Sequence, residues 1–267
     1  MPTREYPMTD NSRVKKLIAI TATVLASSSI WAQSTLRLGT EGAYPPFNYY
    51  DSNGELAGFD IDIGNALCEE MGVNCVWVAQ DWDGIIPALM AGRYDVILAS
   101  MFITDRRMEQ VSFTDPYQAS AMTFVAQKSA NVRDTSPIAL AGKTIGAQGS
   151  TTQGDFLEAQ YQDSSIRLYP TQDAVNLDLA NGRLDLQAGD IIPMVEWLKS
   201  PEGACCERVG ELITDPDYVG YGVGMAVRKN DDALRERLNS ALATIIENGV
   251  YDDINNRYFD VNLLTLD

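Results

Sequence analysis

The sequence predicts an α/β fold of two layered units, and three observations point to it. From residue 36 to residue 99, short strand-like runs alternate with stretches of helical apolar spacing. One of those runs, VILA at 96–99, is apolar without a break, as a strand buried on both faces should be. After a polar stretch with Asn131, Asp134, Ser136 and Pro137, the theme of strand, Gly/Ser/Thr turn and helix starts again.

Taken in order, LRLGT (36–40) alternates as a strand and empties into EGAYPPFNYYDSNGELAG, where Pro45, Pro46 and Asn53-Gly54 oppose helix and favour turns. That stretch reads as an aromatic loop. FDIDIGNALCEEMG sets Ile61, Ile63, Ala66, Leu67 and Met71 at helical spacing, and CVWVAQ follows as a strand. A helix is expected over 82–91, stopped by Gly92, ahead of the strand at 96–99. MTFVAQKS (122–129) is a strand, and KTIGAQGSTTQGDFLEAQYQ and LYPTQDAVNLDLANGRLDLQAGDIIPMVEWLK supply the second unit, expected between about 120 and 222. GYGVGMAVRK reads as a glycine-studded strand. The last helix, with Leu234, Leu238, Leu242 and Ile245 on one face, breaks at Gly249.

At the N-terminus, Arg13, Lys15 and Lys16 precede LIAITATVLASSSIWA, an apolar run closing on Ala32. This is the pattern of a secretory signal peptide over 1–32, cut after Ala32 or Gln33. A membrane anchor needs roughly 20 predominantly apolar residues, and Thr21, Thr23, Ser27, Ser28 and Ser29 interrupt this run. No cysteine stands just past the cut, so no lipid anchor is expected, and a free periplasmic protein follows for a Gram-negative source. Removing the leader leaves about 235 of the 267 residues, enough for two modest domains.

The formal charge is -17, and it becomes -19 once Arg4, Arg13, Lys15, Lys16, Glu5 and Asp10 leave with the leader. So acidic a chain lacks the clustered Lys and Arg that nucleic acid and anionic membrane require. Its field favours cationic ligands, or serves solubility alone. Four cysteines in an exported chain invite pairing. Cys68 and Cys75 close the short CEEMGVNC loop and are expected to form a disulfide. Cys205 and Cys206 are adjacent, and a vicinal bridge, free thiols or pairing between chains all remain open.

Catalysis has little support. Histidine is absent, which removes the commonest general base, the Ser-His-Asp triad and most zinc sites, so no metal or cofactor is expected. Binding has more. Arg106-Arg107 follow a buried strand, and a guanidinium fork pairs bidentately with a carboxylate; a solvated surface pair is the plain alternative. Glu41, Tyr44, Phe47 and Trp82 group aromatic faces with one acid, a set able to hold a cationic side chain, although each taken singly is ordinary core or surface. GAQGST (146–151), with Ser150 and Thr151, is a turn at a helix N-terminus where backbone N–H groups can meet an anion. It lacks the lysine of a nucleotide-binding loop.

These segments together resemble a known family over nearly all of the mature chain. GTEGAYPPF, GFDIDIGNALCEEM, DWDGIIPAL, AGRYDVILASM, ITDRR, FTDPY, GAQGST, NGRLD and GVGMAVRK are similar to the periplasmic amino-acid-binding proteins of ABC importers, in the lysine/arginine/ornithine/histidine and opine group. The resemblance implies a two-lobed periplasmic-binding-protein type II fold, each lobe a mixed sheet flanked by helices, joined by two β-strand hinges. Lobe 1 would be 35–119 with 223–267, and lobe 2 would be 120–222. It further implies a monomer that binds an amino acid or opine between its lobes and delivers it to an inner-membrane permease. Arg107 would clamp the ligand α-carboxylate with the N–H and hydroxyl of Thr151, beside Ser150. Asp190 would hold the α-ammonium, and Ser100 would offer its backbone carbonyl. Tyr44 and Trp82 would stack on the side chain, and Glu41 would face a distal cation. The Ala99, Met101 and Phe102 neighbours of Ser100 would line the same site. Phe102 and Ala99 stand where many relatives carry a hydroxyl residue, which leaves the ligand open between amino acid and opine. An exported dehydratase-like enzyme and a ligand-sensing domain are the rival readings of the same fold.

Overall fold

The computed structural model describes residues 1–4, 34–119 and 121–265. The chain divides into Met1–Ala32 and Gln33–Asp267. Of the first, residues 1–4 are irregular and exposed, and the rest of the expected leader lies outside the described residues. Among the described residues no helix is long and apolar enough to cross a membrane.

In chain order, the first half carries β1 (Thr35–Thr40), β2 (Ala43–Tyr44), β3 (Asn48–Tyr50), β4 (Leu56–Ala57), α1 (Phe59–Met71), β5 (Asn74–Ala79), α2 (Ile85–Met90), β6 (Val96–Ile97), α3 (Asp105–Met108) and β7 (Val111–Phe113). There follow β8 (Met122–Gln127), β9 (Thr144–Gln148), α4 (Thr152–Gln160), β10 (Ser165–Tyr169), α5 (Gln172–Ala180), β11 (Leu186–Asp190), α6 (Ile191–Lys199), β12 (Cys206–Ile213) and α7 (Pro216–Val219). The chain closes with β13 (Ala226–Arg228), α8 (Asp232–Glu247) and α9 (Val250–Tyr258).

Among the described residues these strands form two five-stranded sheets, ordered β5-β1-β6-β13-β7 and β10-β9-β11-β8-β12. In each, four strands run in one direction and a strand brought in from the other side of a crossing lies antiparallel to its two neighbours: β13 in the first sheet, β8 in the second. The chain passes from one sheet to the other after β7 and returns after β12, and the two crossings touch in an isolated bridge, Gln118 with Val223. The fold is therefore α/β and two-lobed, each lobe a mixed sheet flanked by helices.

The aromatic stretch expected as a loop instead carries β2, β3 and β4, a small antiparallel sheet of its own. Its rings explain why it folds. Phe47 packs 5.9 Å from Phe59 and 5.5 Å from Phe259, at the N-terminus of α1. Gly58 is needed there, because its φ is +121° and a Cβ would lie 2.3 Å from the Phe47 carbonyl oxygen. The strand expected at 96–99 pairs only at Val96–Ile97, and the backbone turns off at Ser100, whose φ is +50°. The helix expected over 82–91 is a 3₁₀ turn, Trp82–Gly84, leading into α2. Cys68 and Cys75 are joined, tying α1 to the segment that begins β5, whereas Cys205 is an exposed thiol and Cys206 a buried one.

Candidate functional site

Parallel sheets open ligand crevices at the carboxyl ends of their strands, and both sheets do so here. Glu41 follows β1, Ser100 lies just past β6, Gln148 ends β9 and Asp190 ends β11. These ends border one narrow cavity. Of the residues expected from sequence, Glu41, Tyr44, Trp82, Ala99, Ser100, Phe102, Arg107, Thr151 and Asp190 all line it.

Arg107 reaches the cavity from α3, a single turn whose N-cap Thr104 accepts the Arg107 N–H. Its guanidinium donates to the Phe102 carbonyl at 2.9 Å and sits 5.4 Å from the centre of the Trp82 ring. Burial lowers its pKa to about 10, against the pull of Asp190 and Asp155, so it stays charged at neutral pH. One position earlier, Arg106 points outward and pairs with Asp155 at 2.6 Å.

Two carboxylates line the same cavity. Asp190 is buried and accepts from the Tyr44 hydroxyl at 2.6 Å and from the Gln153 amide. Burial raises its pKa to about 7, although both hydrogen bonds and the Arg107 charge oppose the rise. Glu41 is likewise buried, with the Gln148 amide donating to it at 2.6 Å. Burial lifts it to about 7, helped by the like charges of Asp173, Asp81 and Asp83. With the guanidinium and both acids ionised, the cavity carries one net negative charge.

Thr151 caps α4: its hydroxyl donates to the Gln148 carbonyl at 2.6 Å and accepts the Gly154 N–H at 3.2 Å. The hydroxyl expected to meet a ligand is thus engaged in the cap, and the orphan N–H groups of the first helical turn are what this end offers an anion. Tyr44 turns its hydroxyl to Asp190 while its ring packs 6.1 Å from Phe47.

Three expected residues stand elsewhere, the first being Phe47, which is buried in the core against Phe59 and Phe259. Met101 turns to the other side of the chain from Ser100 and Phe102 and is fully buried among residues such as Ile85, Leu89 and Tyr94. Ser150 borders a neighbouring depression with Trp82, and its carbonyl accepts the Trp82 indole N–H at 2.9 Å. Gln148, Thr152, Gln153 and Gln172 complete the cavity wall and were not anticipated. They are neutral, so neither charge nor periodicity marks them; the place of Gln148 inside GAQGST was the one available signal.

The family model for bacterial extracellular solute-binding proteins, family 3, matches residues 36–261. The L-arginine-binding protein of Pseudomonas aeruginosa is 40% identical over 248 residues, covering 92% of this chain and 95% of that protein. The lysine/arginine/ornithine-binding periplasmic protein of Escherichia coli is 36% identical, covering 89% of this chain and 92% of that one. Among solved structures, a Salmonella typhimurium periplasmic binding protein described as having high arginine specificity superposes with a TM-score of 0.79 at 33% identity, covering 85% of this chain and 99% of the other. These relatives are binding proteins by name. With its two lobes, interlobe cavity and family match over most of its length, the chain belongs to the bacterial extracellular solute-binding proteins, family 3.

Proposed function

We propose that the protein is a periplasmic receptor that binds a basic L-amino acid, arginine foremost, between its lobes and delivers it to an ABC permease. One observation carries the reading: a guanidinium and two carboxylates from three separate segments border a single cavity, which has one net negative charge when both acids are ionised. A zwitterion with a cationic side chain supplies the missing positive charge. A neutral amino acid leaves one buried carboxylate unpaired, which is costly.

Arg107 then takes the α-carboxylate, with the first turn of α4 at Thr151 as its second donor. Asp190 and the Ser100 carbonyl take the α-ammonium. The Trp82 face lies along the aliphatic stem, and Glu41, held by Gln148, pairs with the distal cation. Tyr44 and Gln153 steer the Asp190 carboxylate rather than touching the ligand's charge directly. An opine adds a second carboxylate at the α-nitrogen, facing Asp190, so the cavity favours the unmodified amino acid.

The working unit is a monomer after removal of residues 1–32. Lobe 1 comprises 35–119 with 223–267, and lobe 2 comprises 120–222. Closure about the two crossings brings Gln148, Thr151 and Asp190 against Glu41, Trp82 and Arg107, and the permease reads the closed form.

A thermal-shift and calorimetric screen of arginine, ornithine, lysine, histidine, glutamine, octopine and nopaline tests this. Basic amino acids are expected to stabilise most, and arginine above glutamine. No response to any amino acid, or an equal response to arginine and glutamine, overturns it. Arg107→Ala is expected to abolish binding of every ligand, because a desolvated carboxylate loses its partner; unchanged affinity by calorimetry refutes the role given to Arg107.

A further inference from the structure

Behind the cavity wall lies a carboxylate that the proposed binding chemistry does not use. Asp60, in the first turn of α1, has no solvent exposure, and among the described residues no ion pair reaches it. Three donors converge on it instead. Asn48 Nδ2 donates to Oδ2 at 2.9 Å, Ser100 Oγ donates to the same oxygen at 3.0 Å, and Tyr117 Oη donates to Oδ1 at 2.8 Å. Tyr117 Oη in turn accepts the Ser100 N–H at 3.2 Å, which closes a ring of Asp60, Ser100 and Tyr117.

Each donor belongs to a different working part. Ser100 lines the cavity and holds a backbone with φ +50°, unusual for a residue with a Cβ. Tyr117 opens the first crossing between lobes: its N–H donates to the Val223 carbonyl of the returning crossing at 2.9 Å, and its carbonyl accepts the Tyr251 hydroxyl. Asn48 accepts the Gly42 N–H at 2.9 Å, one residue beyond Glu41.

We infer that Asp60 is a positioning residue that fixes the Ser100 turn against the first hinge strand, so that the carbonyl offered to the ligand and the axis of closure move as one body. This rests on the amino-acid site proposed above. A carboxylate accepts from all three donors at once. An asparagine whose oxygen keeps Asn48 and Ser100 turns its amide N–H groups toward Tyr117 Oη, so the tyrosine proton loses its acceptor and the ring opens. The ring acts on groups common to every amino acid, so its loss falls equally on all ligands.

The test measures arginine and lysine affinity, and arginine dissociation rate by stopped flow, for the wild type, Asp60→Asn, Tyr117→Phe and the double variant. Asp60→Asn is expected to weaken both ligands about tenfold or more and by the same factor, chiefly through faster dissociation. Tyr117→Phe is expected to cost a similar factor, and the double variant little beyond either single change, because both break one ring. Additive losses, or a folded Asp60→Asn within twofold of wild type, overturn the inference; lowered melting temperature with unchanged dissociation shows a stability role only and also overturns it. Should Asp60→Asn fail to fold, Tyr117→Phe decides: unchanged affinity and release refute the ring, and a matched loss for both ligands supports it. A wild type that binds arginine, with Arg107→Ala abolishing binding and the ring variants unchanged, sinks this inference alone. A wild type that binds no amino acid sinks the receptor reading.

Discussion

Charge at buried positions sets what this cavity accepts. Glu41→Gln keeps the shape and the Gln148 neighbour but removes the charge, so arginine affinity is expected to fall by about 30-fold or more, the usual range for truncating one side of a buried charge pair, while glutamine changes little; equal losses measured by calorimetry exclude the cation-facing role. Glu41 and Asp190 are raised to about 7 and Asp60 to about 6, well above ordinary carboxylates. A carboxyl whose folded pKa exceeds its unfolded value binds its proton more tightly in the folded protein, so stability falls as pH rises through that window. The ligand-free melting temperature is therefore expected to rise between pH 8 and pH 5. The increment added by saturating arginine should shrink over the same span, because both of its cationic ends need ionised partners; an increment independent of pH contradicts this. Much of this was legible beforehand, because charged and aromatic residues announce themselves at strand ends. Which of two adjacent arginines faces inward was not read from spacing, since the single turn of α3 decides it and the family resemblance chose Arg107. The amides of Gln148 and Gln153 were invisible for want of charge, and Asp60 read as an ordinary acid at a helix start.

Local patterns marked the elements well where their partners are near in sequence. The helix α1 ends at Gly72, in the left-handed conformation, and its apolar spacing shows without knowledge of the fold. The disulfide at its end follows from two cysteines close in sequence in a chain expected to be exported. Replacing both Cys68 and Cys75 by Ser releases a loop with a sequence separation of 7, for which chain entropy gives a loss of about 2–3 kcal/mol. Urea unfolding is expected to show a lower midpoint with an unchanged slope; a changed slope shows that the bridge also alters how much surface the denatured chain exposes. Short strands were harder. The pairs β2 with β3 and β3 with β4 take two residues of each partner, and no period-2 pattern is detectable at that length. The strand at 96–99 was overextended because its apolar run continues past the sheet into Ala99, which packs in the core without pairing.

At the scale of the whole molecule, the two lobes meet through two kinds of contact. Inside the cavity, Glu41 with Gln148 and Tyr44 with Asp190 span the lobes where the proposed ligand would lie. Away from the cavity lining, Arg106 and Asp155 form a pair between the lobes at 2.6 Å, with side chains 75% and 42% exposed. Exposed pairs of this kind contribute about 0.2–1 kcal/mol. Asp155→Asn is therefore expected to speed arginine release about two- to fivefold in dilute buffer, and the difference from wild type should vanish near 1 M salt, where charges are screened within about 3 Å; a difference that persists at high salt rules out an ionic origin. Because this clasp stands apart from the proposed site, the time a captured ligand spends inside the receptor should be open to adjustment by the ionic strength of the surrounding fluid. Its chemical selectivity, written in the dry interior, is shielded from the same changes.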